Sequence, residues 1–229
     1  MQNIENTSFD KIAHEYDKSI PKHIRDHYLY KRFNFIKELI KPPANILDIG
    51  CGTGVLGEKF VKAGYEVSGI DASKEMLAYA ERRGLKIFHA YCETLPFKDK
   101  TFDLCYSVAV FHHLVDPLTV KKTLSEMVRI TKQNGIIVIW DHNPLNPYWP
   151  VIMKKVPQDS GEERLISIKE ILNGVKDHNV SKVKISRKGF IADFFPEWFM
   201  PVASKLENLF EKLPTRYFAA HNVVVLRRN

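Results

Sequence analysis

The 229-residue sequence has few cysteines and no long apolar run, and each scarcity excludes a class of protein. Its three cysteines, Cys51, Cys92 and Cys105, are odd in number and show no CxxC spacing. This argues against a disulfide framework or a zinc cluster. The apolar runs, such as Ile136 to Trp140, fall far short of the roughly 18 residues that a membrane-spanning helix needs. The first residues have neither a basic start nor an apolar stretch, so a cytoplasmic protein is predicted.

Positive charge exceeds negative charge by 7, and the excess is uneven. Residues 1–150 hold 20 Lys and Arg against 18 Asp and Glu, whereas residues 151–229 hold 14 against 9. A modest positive field favours anionic partners such as phosphates, nucleic acid or an anionic membrane surface, but a solvated basic face explains it equally well. Because no recognition motif for DNA or RNA is visible, no nucleic-acid partner is expected.

Strands and helices alternate through the first two thirds of the chain. Two predicted N-terminal helices end before Pro42-Pro43, and a regular alternation follows up to Asp141. The predicted strands are 45–49, 66–70, 86–89, 102–108, 136–140, 180–186 and 217–226, and the predicted helices between them include 55–63, 74–83, 117–131 and 167–178. This order implies a doubly wound α/β fold, with a parallel sheet and right-handed crossovers.

Three glycines, Gly50, Gly52 and Gly54, lie between the first predicted strand and the helix after it. Glycine lets a backbone turn tightly and approach a ligand closely, and the helix N-terminus offers free N–H groups. Asp71 ends the next strand, 21 residues after Gly50. An acid at that distance typically binds ribose hydroxyls. The combination predicts a nucleotide site, with a tight turn and a capping acid as the alternative.

The identity of the nucleotide depends on the register of the turn. Residues 52–57 match G-x-G-x-x-G, the pattern of NAD sites, but the turn would then begin two residues late. If Gly50 opens the turn, Asp48 lies at the carboxyl end of the strand and faces the cofactor. A carboxylate there suits the ammonium and sulfonium of S-adenosylmethionine (SAM). SAM is therefore favoured; an NAD-dependent oxidoreductase, or a non-catalytic SAM-binding or nucleic-acid-binding protein, remains the alternative.

Four segments occur in the order found in class I SAM-dependent methyltransferases and resemble that family, especially its small-molecule and ubiquinone/menaquinone-type members. They are residues 9–17, 48–54, 69–77 and 92–114. The resemblance implies a doubly wound, seven-stranded, mostly parallel sheet with helices on both faces and an antiparallel last strand. It also implies a single domain, with an N-terminal helical cap (1–43), a cofactor-binding half (44–142) and an acceptor-side half with insertions (143–229).

The same resemblance implies how individual residues hold SAM. The methionine side is expected at the glycine loop, the ribose at Asp71, and the sulfonium above the end of the fourth strand. The implied cofactor residues are Tyr16, Asp48, Gly50, Cys51, Gly52, Gly54, Asp71, Ala72, Met76, Cys92, Glu93, Ser107 and Val108. Tyr91 stands where the family often has Asp, so backbone contacts are expected to recognise the adenine amino group.

Candidates for a general base follow the fourth and fifth predicted strands. His112 and His113 come after the fourth strand, and Asp141 and His142 come after the fifth. A hydroxyl nucleophile needs a base nearby, and histidine titrates near neutrality. His113 is the preferred candidate, with a structural role as the alternative for each of the four. Clustered histidines can bind metal, but the spacing here is not diagnostic, so no metal is expected.

Two segments of the C-terminal third exceed what the fold needs. They are a proline-rich loop at 143–166, predicted to be a lid, and an aromatic block at 190–213. Both are predicted to form the acceptor pocket, because acceptors bind at the carboxyl edge of such sheets. Its expected walls are Trp149, Phe194, Phe195 and Trp198, with core packing as the alternative. The acceptor is predicted to be a small molecule or lipid-linked, methylated at O or C; the aromatic block allows peripheral membrane contact, and the oligomeric state stays open.

Overall fold

The computed structural model describes residues 8–153 and 163–229. Within these ranges the chain alternates helices and strands around one sheet. In chain order the elements are α1 (Ser8–Tyr16), α2 (Lys22–Lys37), β1 (Asn45–Ile49), α3 (Val55–Lys62), β2 (Glu66–Asp71), α4 (Lys74–Arg82), β3 (Lys86–His89), β4 (Phe102–Val108), α5 (Pro117–Ile130), β5 (Thr131–His142), α6 (Trp149–Ile152), α7 (Ile168–Gly174), β6 (Val180–Lys188), α8 (Met200–Phe210) and β7 (His221–Arg228). Short 3₁₀ turns occur at Phe111–His113, Glu197–Phe199 and Pro214–Phe218.

The seven strands form a single sheet in the order β3-β2-β1-β4-β5-β7-β6. The strands from β1 to β5 pair in parallel, and β7 pairs antiparallel with both β5 and β6. The doubly wound, mostly parallel sheet with an antiparallel last strand is thus confirmed. The strand order reverses between β1 and β4, the position where a crevice opens at the carboxyl edge of such sheets.

Alternate residues of the central strands pack on opposite faces of this sheet. On one face Leu47 and Cys105 contact the apolar sides of α5 and α7. On the other face Ile46 and Leu104 pack with residues of α2, α3 and α4. Strand residues with such continuous apolar character are expected where helices cover both faces. None of the helices within the described ranges is long and apolar enough to cross a bilayer.

The structure differs from the predicted elements mainly in the C-terminal third. The aromatic block contains a 3₁₀ turn followed by α8, and Pro201 lies in the first turn of α8. Proline is tolerated there because its missing N–H would have no partner inside the helix. The last strand begins at His221 rather than at residue 217, because Pro214–Phe218 form a 3₁₀ turn. Part of the predicted lid forms the short helix α6. Residues 154–162 of the predicted lid lie outside the described residues.

Candidate active site

The glycine loop joins β1 to α3, and its three glycines adopt left-handed backbone conformations. A Cβ on Gly50 would lie 2.3 Å from Val110 Cγ2, and one on Gly54 would lie 2.8 Å from the Cα of Ala80. At Gly52 a Cβ would meet only Tyr16, at 3.9 Å. Gly50 and Gly54 therefore allow the loop backbone to pack closely against Val110 and Ala80, whereas Gly52 leaves open space between the loop backbone and α1.

Asp71 links the glycine loop to the end of β2. Its Oδ2 accepts a hydrogen bond from the Gly52 N–H at 2.8 Å, and its Oδ1 accepts one from the Ser73 N–H at 2.9 Å. Burial raises the pKa of the Asp71 carboxyl, while these N–H donors act to lower it. The carboxyl group lies at the carboxyl edge of the sheet, where it can also accept hydrogen bonds from a ligand.

A cavity of about 390 Å³ opens beside Asp71. It lies at the carboxyl ends of β1, β2 and β4, beneath α1. Most of the residues predicted to hold the cofactor line it: Tyr16, Gly50, Gly52, Asp71, Ala72, Met76, Cys92, Glu93 and Val108. Its other walls include Phe9, Tyr91 and Leu114. Leu114 was not predicted, because no local pattern indicates that the turn after β4 folds back over this cavity.

A second, larger cavity of about 460 Å³ lies on the other side of the glycine loop. Asp48 of β1 and Cys51 and Thr53 of the loop line it, and α2, α6, β5 and β7 supply further walls. The two cavities share Phe9, Tyr16, Gly50, Gly52, Val108, Ala109 and His113. These shared residues mark the junction at which ligands in the two cavities would meet.

Asp48 is buried at the end of β1, where the Tyr106 hydroxyl donates to its Oδ2 at 2.7 Å. Burial raises the pKa of Asp48 to about 7, and the negative charge of Asp71 adds to the rise, while the bond from Tyr106 opposes it. A cation bound beside Asp48 would favour its ionised form.

Helix α1 covers both cavities and is fastened at each end. Near its start, Asp10 Oδ1 accepts a hydrogen bond from Ser73 Oγ at 2.7 Å. Just past its end, Asp17 Oδ1 accepts one from Thr53 Oγ1 at 2.7 Å, and Arg83 forms an ion pair with Asp17 at 2.6 Å. The helix is therefore tied to the glycine loop and to α4 by polar contacts.

Asp141, at the end of β5, organises the histidines. Its Oδ2 accepts from the N–H groups of Val110 and Phe111 at 3.0 and 2.7 Å. Its Oδ1 accepts from the His142 N–H at 2.7 Å and contacts His112 Nδ1 at 2.9 Å. Burial acts to raise the pKa of Asp141, but the charges and hydrogen bonds of His112 and His142 outweigh it and hold the pKa below its usual range. Asp141 thus stays ionised and fixes the turn after β4.

His113 is the member of the histidine cluster that lines both cavities. Its ring lies 4.0 Å from the ring of His112 and 5.2 Å from that of Phe9, and its Nδ1 is 3.7 Å from Glu163 Oε1. Burial, and then the charge of His112, lower the pKa of His113 to about 4. The ring is therefore neutral at neutral pH.

His142 lies between two parallel rings in the wall of the larger cavity. Trp149 stacks on it at 3.6 Å and His112 at 4.1 Å, with interplanar angles of 5° and 11°. Ligand atoms of His112, Asp141 and His142 lie within 4.8 Å of one another. Lone pairs of stacked imidazoles run in parallel planes and do not converge on one ion, and both oxygens of Asp141 already accept hydrogen bonds. This geometry gives no support for a metal site.

Comparison with known proteins gives the family. Residues 47–139 match the model of a methyltransferase domain. An uncharacterized protein of Methanocaldococcus jannaschii is 32% identical over 185 residues, covering 80% of this chain and 85% of that protein. A ubiquinone biosynthesis O-methyltransferase of Pelagibacter ubique is 31% identical over 210 residues, again covering 80% and 85%. The chain belongs to the class I SAM-dependent methyltransferases.

The structure of a SAM-dependent methyltransferase from Thermotoga maritima has the same fold. It superposes on this methyltransferase with a TM-score of 0.70 at 18% identity, covering 97% of this chain and 99% of that one. SAM is the cofactor, and the chain is an enzyme. An NAD-dependent oxidoreductase and a non-catalytic binding protein, the two alternatives left by the sequence, are not consistent with this membership. The cavity beside Asp71 is compatible with SAM, because the open Gly52 backbone and a carboxylate that can accept hydrogen bonds line it.

Two residues predicted to hold the cofactor line neither cavity of the methyltransferase. Gly54 packs so closely against Ala80 of α4 that no side chain would fit between the two backbones. Ser107 is buried in β4, and its Oγ has no hydrogen-bond partner within the described part of the chain. We therefore interpret Gly54 as a packing residue that shapes the loop. The structure gives no explanation for the unpartnered hydroxyl of Ser107.

The predicted aromatic wall of the acceptor pocket is only partly observed. Trp149 lines the larger cavity, and its Nε1 donates to the Ala220 carbonyl at 2.5 Å. Phe194 and Trp198, by contrast, are 74% and 80% exposed, and Phe195 packs with Ile24 and Ile191 in a small separate cluster. The prediction for these three residues is wrong, because the short turns after β6 direct the aromatic block outward.

Proposed function

We propose that this methyltransferase transfers the methyl group of SAM to an oxygen or carbon atom of a small molecule bound in the larger cavity. In this proposal the adenosine lies in the smaller cavity, with Asp71 on the ribose. The methionine end follows Gly50 and Gly52 toward Asp48. The reacting methyl group is then at the junction of the two cavities. Bound SAM supplies an activated methyl group, so the protein's task is alignment and exclusion of water.

The observation that carries the proposal is the position of His113 at that junction. A neutral imidazole can accept a proton, and burial keeps the His113 ring neutral at neutral pH. Its low pKa of about 4 makes it a weak base, so proton transfer depends on the rise in acidity of the nucleophile as the methyl group is transferred, and the charge of Glu163 favours the protonated ring. His113 takes the proton that an oxygen or carbon nucleophile releases, and Phe9 shields the site from one side. Asp141 lines neither cavity, so we propose that it positions the neighbouring histidines rather than accepting the proton.

The test compares His113→Gln with His178→Gln, in a screen of phenols and enolisable carbonyl compounds as acceptors. His178 bonds Ser125 on the far side of α5 and lines neither cavity, so it is the matched control. We expect His113→Gln to reduce turnover about 100-fold or more while SAM affinity changes little, the pattern of general-base loss. Equal turnover in the two variants would return His113 to a structural role.

A lipid-linked acceptor is a second candidate, favoured by an exposed apolar stripe along α8 and the 3₁₀ turn before it. Trp198, Val202, Leu206 and Leu209 follow one another at helical spacing and are 80, 50, 41 and 50% exposed. Lys205 and Lys212 lie beside them. Apolar side chains flanked by lysines suit the surface of an anionic membrane.

Co-sedimentation with vesicles containing phosphatidylserine tests this candidate. We expect the Trp198→Ala/Leu206→Ala variant to lose most vesicle binding, because it removes two of the four apolar side chains of the stripe. Leu118→Ala, at a 65% exposed position on α5, is the matched control and should bind like the unmodified protein. Equal binding by both variants would contradict membrane contact through α8.

A further inference from the structure

Arg32 of α2 is a cation without an anionic partner in the larger cavity. It lines the cavity, and its Nε is buried with no hydrogen-bond partner among the residues described. No carboxylate of the described chain lies within ion-pair distance of it. Its guanidinium lies 5.8 Å from the ring of Tyr28, which is a weak contact. An enclosed charge of this kind is costly unless a ligand or another group pairs with it.

The groups around Arg32 are arranged to receive an anion. His142 and His221 line the same cavity with their rings 5.6 Å apart, and each has a buried Nδ1 without a hydrogen-bond partner in the described ranges. Burial, and then the positive charge of Arg32, lower the pKa of His221 to about 3. The remaining charged or titratable groups facing Arg32 are Tyr16, Tyr28 and Asp141. One permanent positive charge is thus flanked by two neutral rings with unused nitrogen atoms.

Arg32 is separated from the end of the cavity nearest the glycine loop. Arg25 lies seven residues earlier on α2, which is about 10 Å along a helix axis. Arg25 donates to the carbonyl oxygen of Asp17, and Asp17 in turn bonds Thr53 of the glycine loop. Arg32 instead lies with His142 and His221, at the ends of β5 and β7. The two arginines therefore serve different ends of the cavity.

We infer that the methyl acceptor carries a carboxylate and that Arg32 binds it, with His142 and His221 as neutral hydrogen-bond partners. This inference rests on the proposed function, because it places the acceptor in the larger cavity. A single negative charge matches one guanidinium. A doubly charged group would also face Asp48 and Asp193, which line the same cavity. Aromatic walls at Tyr28 and Trp149 suit a flat acceptor.

The experiment measures binding of benzoate, benzamide and inorganic phosphate to the protein saturated with S-adenosylhomocysteine. Calorimetry gives affinities, and the ring signals of His142 and His221 in NMR spectra report the location. We expect benzoate to bind about tenfold or more tightly than its neutral isostere benzamide, and to raise the pKa of both histidines. Because no turnover is measured, failure of this inference is distinguishable from failure of the proposed base.

Three variants complete the test. Arg32→Gln should abolish the preference for benzoate, and Arg32→Lys should retain part of it. Arg187→Gln is the matched control, because Arg187 also has a buried, unpartnered Nε but lines neither cavity; it should behave like the unmodified protein. Three results would overturn the inference: equal binding of benzoate and benzamide, tighter binding of phosphate, or lost S-adenosylhomocysteine affinity in Arg32→Gln with benzoate binding retained.

Discussion

The side chain of Asp48 titrates close to neutral pH, with a pKa of about 7 that burial raises from its ordinary value. In our proposal it lies beside the ammonium group of the cofactor, which favours the ionised carboxylate. At pH 6 the carboxyl is mostly protonated, so binding must first remove a proton. At higher pH the carboxylate is already formed, and that cost disappears.

We therefore predict that the affinity for S-adenosylhomocysteine rises as pH increases from 6 to 7.5, by up to about tenfold per pH unit below the pKa. Calorimetry in buffers of different ionisation enthalpy should also detect proton release. Asp48→Asn cannot titrate, so its affinity should change little over the same interval. An equally flat profile for the unmodified protein would contradict the assigned position of Asp48.

Residues of the site differ in how far the sequence reveals them. Gly52 and Asp71 could be predicted because strand ends, glycines and acids at fixed spacing have a local physical meaning. Arg32 and His221 could not be predicted. The sequence of α2 indicates only a helix with one apolar face, and His221 lies in the last strand, far from Arg32 in the chain. They meet only when β7 pairs with β5. Contacts between distant elements leave no spacing signal in a single sequence.

At the scale of elements, polar contacts near both ends help to position α1 over the cavities. Thr53 and Arg83 hold Asp17 at its carboxyl end. We predict that Asp17→Asn and Thr53→Val accelerate S-adenosylhomocysteine dissociation about tenfold or more, since each removes a hydrogen bond to a charged group. Stopped-flow fluorescence measures the rate.

The control for this prediction is Lys86→Gln, which breaks the exposed Lys86–Glu66 pair between β3 and β2. Exposed pairs of this kind contribute little, so dissociation should stay unchanged. If all three variants release the ligand at the same rate, α1 is not held closed by Asp17.

Most of the fold follows from local patterns, and the segment between β6 and β7 does not. Strands such as β1 and β4 are mostly apolar and end in turn residues, so their limits could be predicted closely. The segment after β6 has aromatic residues and prolines without a single period. Its aromatic side chains proved to be divided between a small cluster and solvent. Composition alone does not distinguish these two environments.

For the whole molecule, the buried histidines predict sensitivity to acid. An unfolded histidine titrates near pH 6.5, whereas the pKa values of His113 and His221 are about 4 and about 3 in the folded protein. Between pH 6.5 and 4 the unfolded chain binds the histidine protons first, so these two histidines lower stability as pH falls. Asp48 offsets part of this fall, because with a pKa of about 7 its carboxyl binds a proton in the folded protein before it does so in the unfolded chain. Each histidine contributes up to about 1.4 kcal/mol of unfolding free energy per pH unit.

Urea denaturation between pH 4.5 and 6.5 measures this slope. His221→Gln should flatten it by up to about 1.4 kcal/mol per pH unit, and His14→Gln, at an exposed position, should not. The carboxyl of Glu207 does not affect this slope. Burial acts to raise its pKa, but His27 and Lys31 outweigh burial and lower the pKa to about 2. The stability that ionised Glu207 contributes is therefore lost only below pH 4.5. Identical slopes in the two variants would contradict burial of a neutral His221.

The pairing of β7 between β5 and β6 sets an order of assembly during translation. β6 reaches the sheet only through β7, although it is synthesised first. The glycine loop, Asp71 and β5 are synthesised before β7, the strand with which β6 pairs. The residues that we propose to bind the cofactor are thus all synthesised before His221, which completes the wall of the larger cavity only when β7 pairs with β5.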